Sequence, residues 1–257
     1  MKQLIILLVI NLVLATINSN ADGGLDKTTN PKHELTQSQR QLQQNELTQK
    51  RIYYHDLIRN AYLKYPILPS GLLESIAYVS SRWNHRLPIS NYNHNGMPQS
   101  YGIFGLYHSN EFGFMDSLTL IADHSQRTVA EILDDEALYI NATAFYISAQ
   151  LKALKIDSLQ IENSKSIIAK LSGIKATSNV SQYAKNSFVY DVFMTLKKGF
   201  KLEGVELYSQ KIELSKVFTT KELSLLATPE LLINQQKDIV KPVHIKAQDT
   251  KSKKKQQ

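Results

Sequence analysis

The spacing of apolar residues between about residues 50 and 205 is typical of helices. From Lys50 onward, apolar side chains recur at intervals of one, three and four residues, which places them on one face of a helix that Pro66 ends. Alternating strand patterns are nearly absent, so we expect a mostly α domain over 50–205. The same spacing predicts further helices at 72–83, 128–133, 138–154, 164–171 and 182–198. Ser70 is the expected N-cap of the helix at 72–83.

The segment before this domain has a different composition. Residues 1–21 combine one lysine, an apolar run and a small-residue cleavage pattern at Ser19 and Ala21, so we expect a cleaved signal peptide. An uncleaved anchor is the alternative, although the run is shorter than the ~20 residues that span a bilayer. Residues 22–49 are polar, with six glutamines between 37 and 49, which predicts a flexible linker or a frayed helix.

The segment after the domain, residues 206–257, is predicted to be a C-terminal extension. Its pattern indicates a short extended segment followed by two short helices, the second with Thr228 as N-cap and Pro229 as its first residue. The chain ends in KSKKKQQ, which we expect to be a disordered, solvated tail. No stretch after the signal is long and apolar enough to span a membrane.

The formal net charge of +7 is concentrated at the ends of the chain. Seven lysines and two aspartates in residues 237–257 contribute +5, and Lys2 contributes one more, so residues 22–236 carry only +1. A nearly neutral body has no basic face for a phosphate backbone, so we expect no nucleic-acid partner. The absence of cysteine excludes disulfides, thiolate metal sites and a cysteine nucleophile.

Helical geometry assigns the residues of the predicted helix at 72–83 to faces. Leu73, Ile76, Ser80 and Trp83 follow one another at steps of three and four, so they share one face. Glu74 precedes Ser80 by six residues, which is about 240° around a helix that advances ~100° per residue. The Glu74 carboxylate therefore cannot point where Ser80 points.

Two blocks of sequence, LLESIAYVSSRWN at 72–84 and SYGIFGLYH at 100–108, together resemble the lysozyme-like domain of soluble lytic transglycosylases. They are most similar to the lysozyme-like region that precedes some secreted bacterial N-acetylmuramoyl-L-alanine amidases. The resemblance extends more weakly over about 65–200, and it implies a lysozyme-like helical fold with a groove for peptidoglycan glycan. The matching residues are Leu72, Leu73, Ile76, Ala77, Ser81, Trp83, Asn84, Gly102, Gly105 and Leu106.

The sequence departs from this family at the residue that carries the chemistry. The family's catalytic glutamate aligns with Ser80, and in those enzymes that acid protonates the glycosidic oxygen. A serine hydroxyl is not acidic enough for this role, and loss of a general acid costs ~10²- to 10⁴-fold in rate. Glu111, which follows the second block, is the one carboxylate that we consider as a displaced substitute.

The resemblance also predicts a substrate groove. Each aromatic residue in it has core packing as the alternative role. The expected groove residues are Ser81, Arg82, Trp83, Asn84, Tyr101, Gly102, Gly105, Leu106, Tyr107, His108 and Tyr183, with Asn91, Tyr92 and Phe104 as further candidates. The seven histidines show no metal-binding spacing and no G-x-S-x-G elbow is present, so we expect no metal, no cofactor and no serine nucleophile.

Three functions remain open at this stage. The first is an exported, periplasmic or secreted protein whose degenerate transglycosylase-like domain binds peptidoglycan glycan or an envelope partner without efficient cleavage. The second is an active peptidoglycan glycosidase that uses a displaced carboxylate. The third is a structural or interaction protein of the cell envelope.

Overall fold

The computed structural model describes residues 37–85, 98–111, 113–157 and 159–243. The predicted signal peptide at 1–21, the first part of the predicted linker, and the tail at 244–257 lie outside the described residues. So do Asn91 and Tyr92 of the predicted groove.

Helices dominate the described residues, which confirms the mostly α prediction. They are α1 (Gln37–Lys64), α2 (Leu72–Ser81), α3 (Ser117–Ser125), α4 (Val129–Asp134), α5 (Glu136–Ala153), α6 (Lys165–Leu171), α7 (Asn179–Lys198), α8 (Leu214–Val217) and α9 (Thr220–Leu226), with a 3₁₀ turn at Ile161–Ser164. Helices α4 to α7 occupy the predicted positions to within three residues. Helix α3 was not predicted; Asp116 caps it by accepting a hydrogen bond from the Thr119 amide.

Helix α1 begins earlier than the sequence pattern indicates. It is continuous from Gln37 to Lys64, so residues 37–49 of the predicted linker are helical. Gln44 and Thr48 both donate hydrogen bonds to the Glu203 carboxylate, which lies far along the chain. Tertiary contacts therefore extend the helix into a segment whose own composition does not require one.

Helix α2 is shorter than predicted at its C-terminal end. It follows Gly71, which has a positive φ of 79°, and Ser70 makes no capping bond. It ends at Ser81 because Arg82 and Trp83 both take left-handed backbone conformations, with φ of 55° and 63°. The chain turns back here and places Trp83 in the core, 1% exposed.

Three short antiparallel hairpins accompany the helices. The first pairs β1 (Ser100–Tyr101) with β2 (Leu106–Tyr107), within the second sequence block, where no strand was expected. The second pairs β3 (Phe200–Leu202) with β4 (Val205–Leu207). The third pairs β5 (Leu231–Asn234) with β6 (Ile239–Pro242), so the prediction of a helix starting at Thr228 and Pro229 is wrong.

Residues after the predicted domain boundary at 205 belong to the same core. The boundary falls inside the second hairpin, and Ile212, Val217 and Phe218 are buried among the helices. Asp238, in the turn of the third hairpin, accepts hydrogen bonds from the amides of Asn179 and Val180 at the start of α7. Side chains and backbone groups from residues 206–243 therefore pack on the helical domain.

None of the helices in the described ranges combines the length and the apolar character that crossing a bilayer requires.

Candidate functional site

The two sequence blocks that carry the family resemblance meet at the C-terminal end of α2. The Ser81 hydroxyl donates to the Ile103 carbonyl at 2.7 Å, which ties the helix to the turn of the first hairpin. A Cβ placed on Gly105 would lie 3.1 Å from the Ser80 Cβ, so the hairpin backbone packs directly on Ser80. This contact explains the glycine, whose φ is +61°.

Ser80 has no acid–base partner among the described residues. Its Oγ is buried and makes no hydrogen bond, whereas the hydroxyl of its neighbour Ser81 is bonded. An unactivated serine beside a glycine turn has neither the proton affinity of a carboxylate nor a base to generate an alkoxide. The side chain at this position is therefore small and neutral, and it is not an acid that could protonate a glycosidic oxygen.

Helix α5 fixes the other side of the hairpin. Gly102, with φ of +66°, lies so close to Tyr139 that an added Cβ would be 2.3 Å from the ring Cζ. The Tyr139 hydroxyl donates to the Tyr101 carbonyl at 2.9 Å, and the Phe104 ring stacks on the Tyr139 ring at 5.7 Å. The hairpin is thus held between α2 and α5, and both glycines are required by close packing.

Several predicted groove residues lie in the core. Trp83, Phe104 and Leu106 are buried, so their side chains do not offer a face to a sugar ring. The ring of Tyr107 is half-buried and packs on Phe114 at 4.4 Å. For these four side chains, the packing role is the one that the structure supports.

The remaining predicted groove residues lie outside the first hairpin and are exposed or half-buried. His108 is exposed and shares a hydrogen bond with Asp116 at 2.8 Å, beside the start of α3. Asn84 is exposed, just beyond the end of α2, while Tyr183 lies half-buried on α7. Glu111 lies in the exposed loop after β2, where it lacks the apolar enclosure that a general acid needs.

Glu74 is buried, but it is committed to a structural bond. The Tyr62 hydroxyl donates to its carboxylate at 2.6 Å and accepts from the Leu73 amide. Burial raises the pKa of Glu74, and the Tyr62 bond opposes that rise. The prediction that Glu74 cannot face the same way as Ser80 agrees with this pairing to α1.

Asp191 on α7 carries a half-buried carboxyl that no sequence motif indicates. Burial raises its pKa to about 6, while Arg82 and Lys198 act in the opposite direction. Arg82 packs on the Tyr78 ring at 4.2 Å, and Tyr78 precedes Ser80 by two residues, or about 200° of helix. Asp191 therefore lies near the positively charged Arg82 that follows α2.

A polar cluster joins α1, the end of α2 and the start of α5. Glu136, the first residue of α5, accepts hydrogen bonds from Lys50 Nζ and Tyr54 Oη, both at 2.7 Å. His85 Nε2 lies 3.8 Å from the same carboxylate, and the imidazole stacks on the Tyr54 ring. Burial raises the pKa of Glu136, but the bonds from Lys50 and Tyr54 outweigh it, so the pKa falls below its usual value.

A surface groove of about 570 Å³ opens beside this cluster. The groove was not predicted from the sequence. Most of its residues come from the segment that was expected to be a linker, and Glu136 comes from the start of a helix far along the chain. Its lining residues are Leu42, Asn45, Glu46, Gln49, Lys50, Tyr53 and Glu136. The groove offers an aromatic ring and an aliphatic side chain among amides, carboxylates and one amine.

In the described part of the chain, no three His, Asp or Glu side chains are grouped to hold a metal ion. No protein-family model matches the chain, and no curated protein and no solved structure matches it.

Proposed function

We propose that this chain is an exported protein of the bacterial cell envelope whose lysozyme-like helical domain binds peptidoglycan glycan without cleaving it efficiently. The observation that carries the proposal is the junction of α2 with the first hairpin. The two blocks of family-like sequence pack against each other there, through Ser80, Ser81 and Gly105. The residue aligned with the family's acid is a serine with a buried, unbonded hydroxyl.

The surrounding carboxyl groups support binding over cleavage. Glu74 is bonded to Tyr62 of α1, Asp191 belongs to α7, and Glu111 is exposed in a loop. Glycoside hydrolysis requires an acid within hydrogen-bond reach of the leaving oxygen, and Ser80 at the family's position supplies none.

A binding assay and a lysis assay on the same preparation test the proposal. The chain lacking residues 1–21 is mixed with purified peptidoglycan sacculi, and bound protein is measured by sedimentation while the turbidity of the suspension is followed. We expect co-sedimentation with no fall in turbidity beyond the buffer control. Failure to sediment would refute the binding function and favour a structural or interaction role in the envelope.

Lysis would favour the enzymatic alternative. The specific observation in favour of the enzyme is Asp191, a half-buried carboxyl whose pKa, raised by burial to about 6, suits a general acid. Robust lysis that Asp191→Asn or Glu111→Gln abolishes would identify a displaced acid and contradict the proposal. The Ser80→Glu variant returns a carboxyl to the family's position, so weak lysis by this variant and none by the wild type would support a groove that has lost only its acid.

A further inference from the structure

We propose that the groove along α1 is a saccharide-binding site that holds a short oligosaccharide segment of a glycan strand. This inference rests on the proposed function and deepens it, because it assigns the glycan to a surface away from the junction at Ser80. The groove is lined by one stripe of α1 and by Glu136 at the start of α5.

The stripe has the length and the chemistry for sugar rings. Leu42, Glu46, Gln49 and Tyr53 recur at steps of four and three, so they share one side of α1. Eleven residues separate the first from the last, which is about 16 Å of helix. Sugar rings present apolar C–H faces edged by hydroxyls, and this stripe has an apolar or aromatic side chain at each end and two hydrogen-bonding side chains between them.

Tyr53 supplies the flat apolar surface. It is 44% exposed, and Lys50 Nζ lies 5.2 Å from its ring centroid. A tyrosine ring offers a large contact area and loses little conformational entropy on binding, since it has only two side-chain torsions.

The polar end of the groove is held in place before any ligand arrives. The Glu136 carboxylate is fixed by Lys50 and by the buried Tyr54 hydroxyl, with the His85 ring stacked behind. The fixed Glu136 carboxylate can accept a hydrogen bond from one sugar hydroxyl, and the Lys50 ammonium group beside it can donate to the neighbouring hydroxyl. Because both groups are already held in place, the cost in side-chain ordering is small.

Two other occupants fit the groove less well. A helix from a second copy would need an apolar seam at the steps of four and three, and Glu46 and Gln49 interrupt it. A nucleic acid would need a cationic lining, whereas this lining holds two glutamates and one lysine. A neutral polyhydroxylated chain is the ligand class that the lining favours.

The test uses a soluble β-1,4-linked tetramer of N-acetylglucosamine as the probe, titrated into the chain from residue 22 and followed by calorimetry, beside sedimentation with sacculi. Tyr53→Ala should weaken tetramer binding about ten-fold, as expected for loss of a central aromatic contact. Tyr53→Phe keeps the ring and should bind within about two-fold of the wild type. Tyr208→Ala is the matched control, because Tyr208 is 77% exposed and lies outside the groove.

The outcomes separate the two proposals. Weakened binding of Tyr53→Ala with unchanged binding of Tyr208→Ala supports the groove. If the wild type sediments with sacculi but Tyr53→Ala binds both ligands as well as the wild type does, the groove assignment is overturned and the proposed function stands. If the wild type binds neither ligand, both proposals fall. Circular dichroism of each variant establishes that the fold is retained.

Discussion

Two neighbouring serines at the end of α2 give the sharpest test of the junction. Both hydroxyl oxygens are buried, but Ser81 Oγ donates to the Ile103 carbonyl at 2.7 Å while Ser80 Oγ has no partner. Ser81→Ala and Ser80→Ala remove the same atom from adjacent positions, so the difference between the two variants isolates the hydrogen bond.

The expected magnitudes follow from the two environments. Ser81→Ala removes one net hydrogen bond and leaves a buried carbonyl unsatisfied, so the free energy of unfolding should fall by about 1–2 kcal/mol. Ser80→Ala removes a buried polar atom that was not paired, so it should leave the free energy unchanged or raise it by up to about 1 kcal/mol. In a chain of this size, each kcal/mol corresponds to roughly 2–4 °C in Tm.

Urea denaturation followed by tryptophan fluorescence measures both variants. Trp83 is the only tryptophan in the chain, it is 1% exposed, and it follows Ser81 by two residues, so its emission reports on this region. If Ser80→Ala destabilises the protein as much as Ser81→Ala does, the assignment of a hydrogen bond to Ser81 alone is wrong. That result would mean that the Ser80 hydroxyl is bonded in solution.

Three further predictions test the packing and the electrostatics. Gly102→Ala should lower the free energy of unfolding by about 3 kcal/mol or more, because the added Cβ would overlap the Tyr139 ring. Gly113→Ala, which is also at positive φ but has open space around it, should lower it by only about 1–2 kcal/mol. Thermal denaturation of the pair checks this, and equal losses would contradict the overlap. Burial raises the pKa of Asp191 to about 6 in the folded state, above its ordinary value of 3.8, so wild-type stability should fall relative to Asp191→Asn as pH rises from 4 to 6. A constant stability difference between the two proteins in urea denaturation over this range would exclude the raised pKa. Phe218→Ala should lower the free energy of unfolding by about 3–5 kcal/mol, because the ring is only 3% exposed. A loss under 1 kcal/mol in urea denaturation would show that residues 206–243 do not pack on the core.

Most of the helices could be predicted from the sequence because their apolar residues repeat with the helical period. The capping box at Thr128 and Glu131, for example, marks the start of α4 in the sequence as well as in the structure. The third hairpin could not be predicted, because LLIN after Thr228 and Pro229 has an apolar run that suits a helix or a strand equally. Its pairing with β6 and the Asp238 cap on α7 are long-range contacts, which local preferences do not encode.

The candidate site was predicted only in part, for a similar reason. The resemblance assigns both sequence blocks to one groove, and the two blocks do contact each other. The Trp83 side chain, which was a candidate to face that groove, lies in the core. No glycine marks the end of α2, and two residues with side chains adopt the left-handed conformation that buries the indole. Glu136, Lys50 and Tyr54 come from two segments about 80 residues apart, so only the fold brings them together.

The long-range attachments of α1 have a consequence for how the chain is made. Its partners include Glu136, 86 residues after Lys50, and Glu203, 155 residues after Thr48. At a synthesis rate of ~5–20 residues per second, the apolar side of α1 waits roughly 8–30 s before residue 203 has been added. During that interval Tyr54, Ile58 and Ala61 have no complete core to enter, so this apolar face of the nascent chain is exposed to aggregation until the later partners are made.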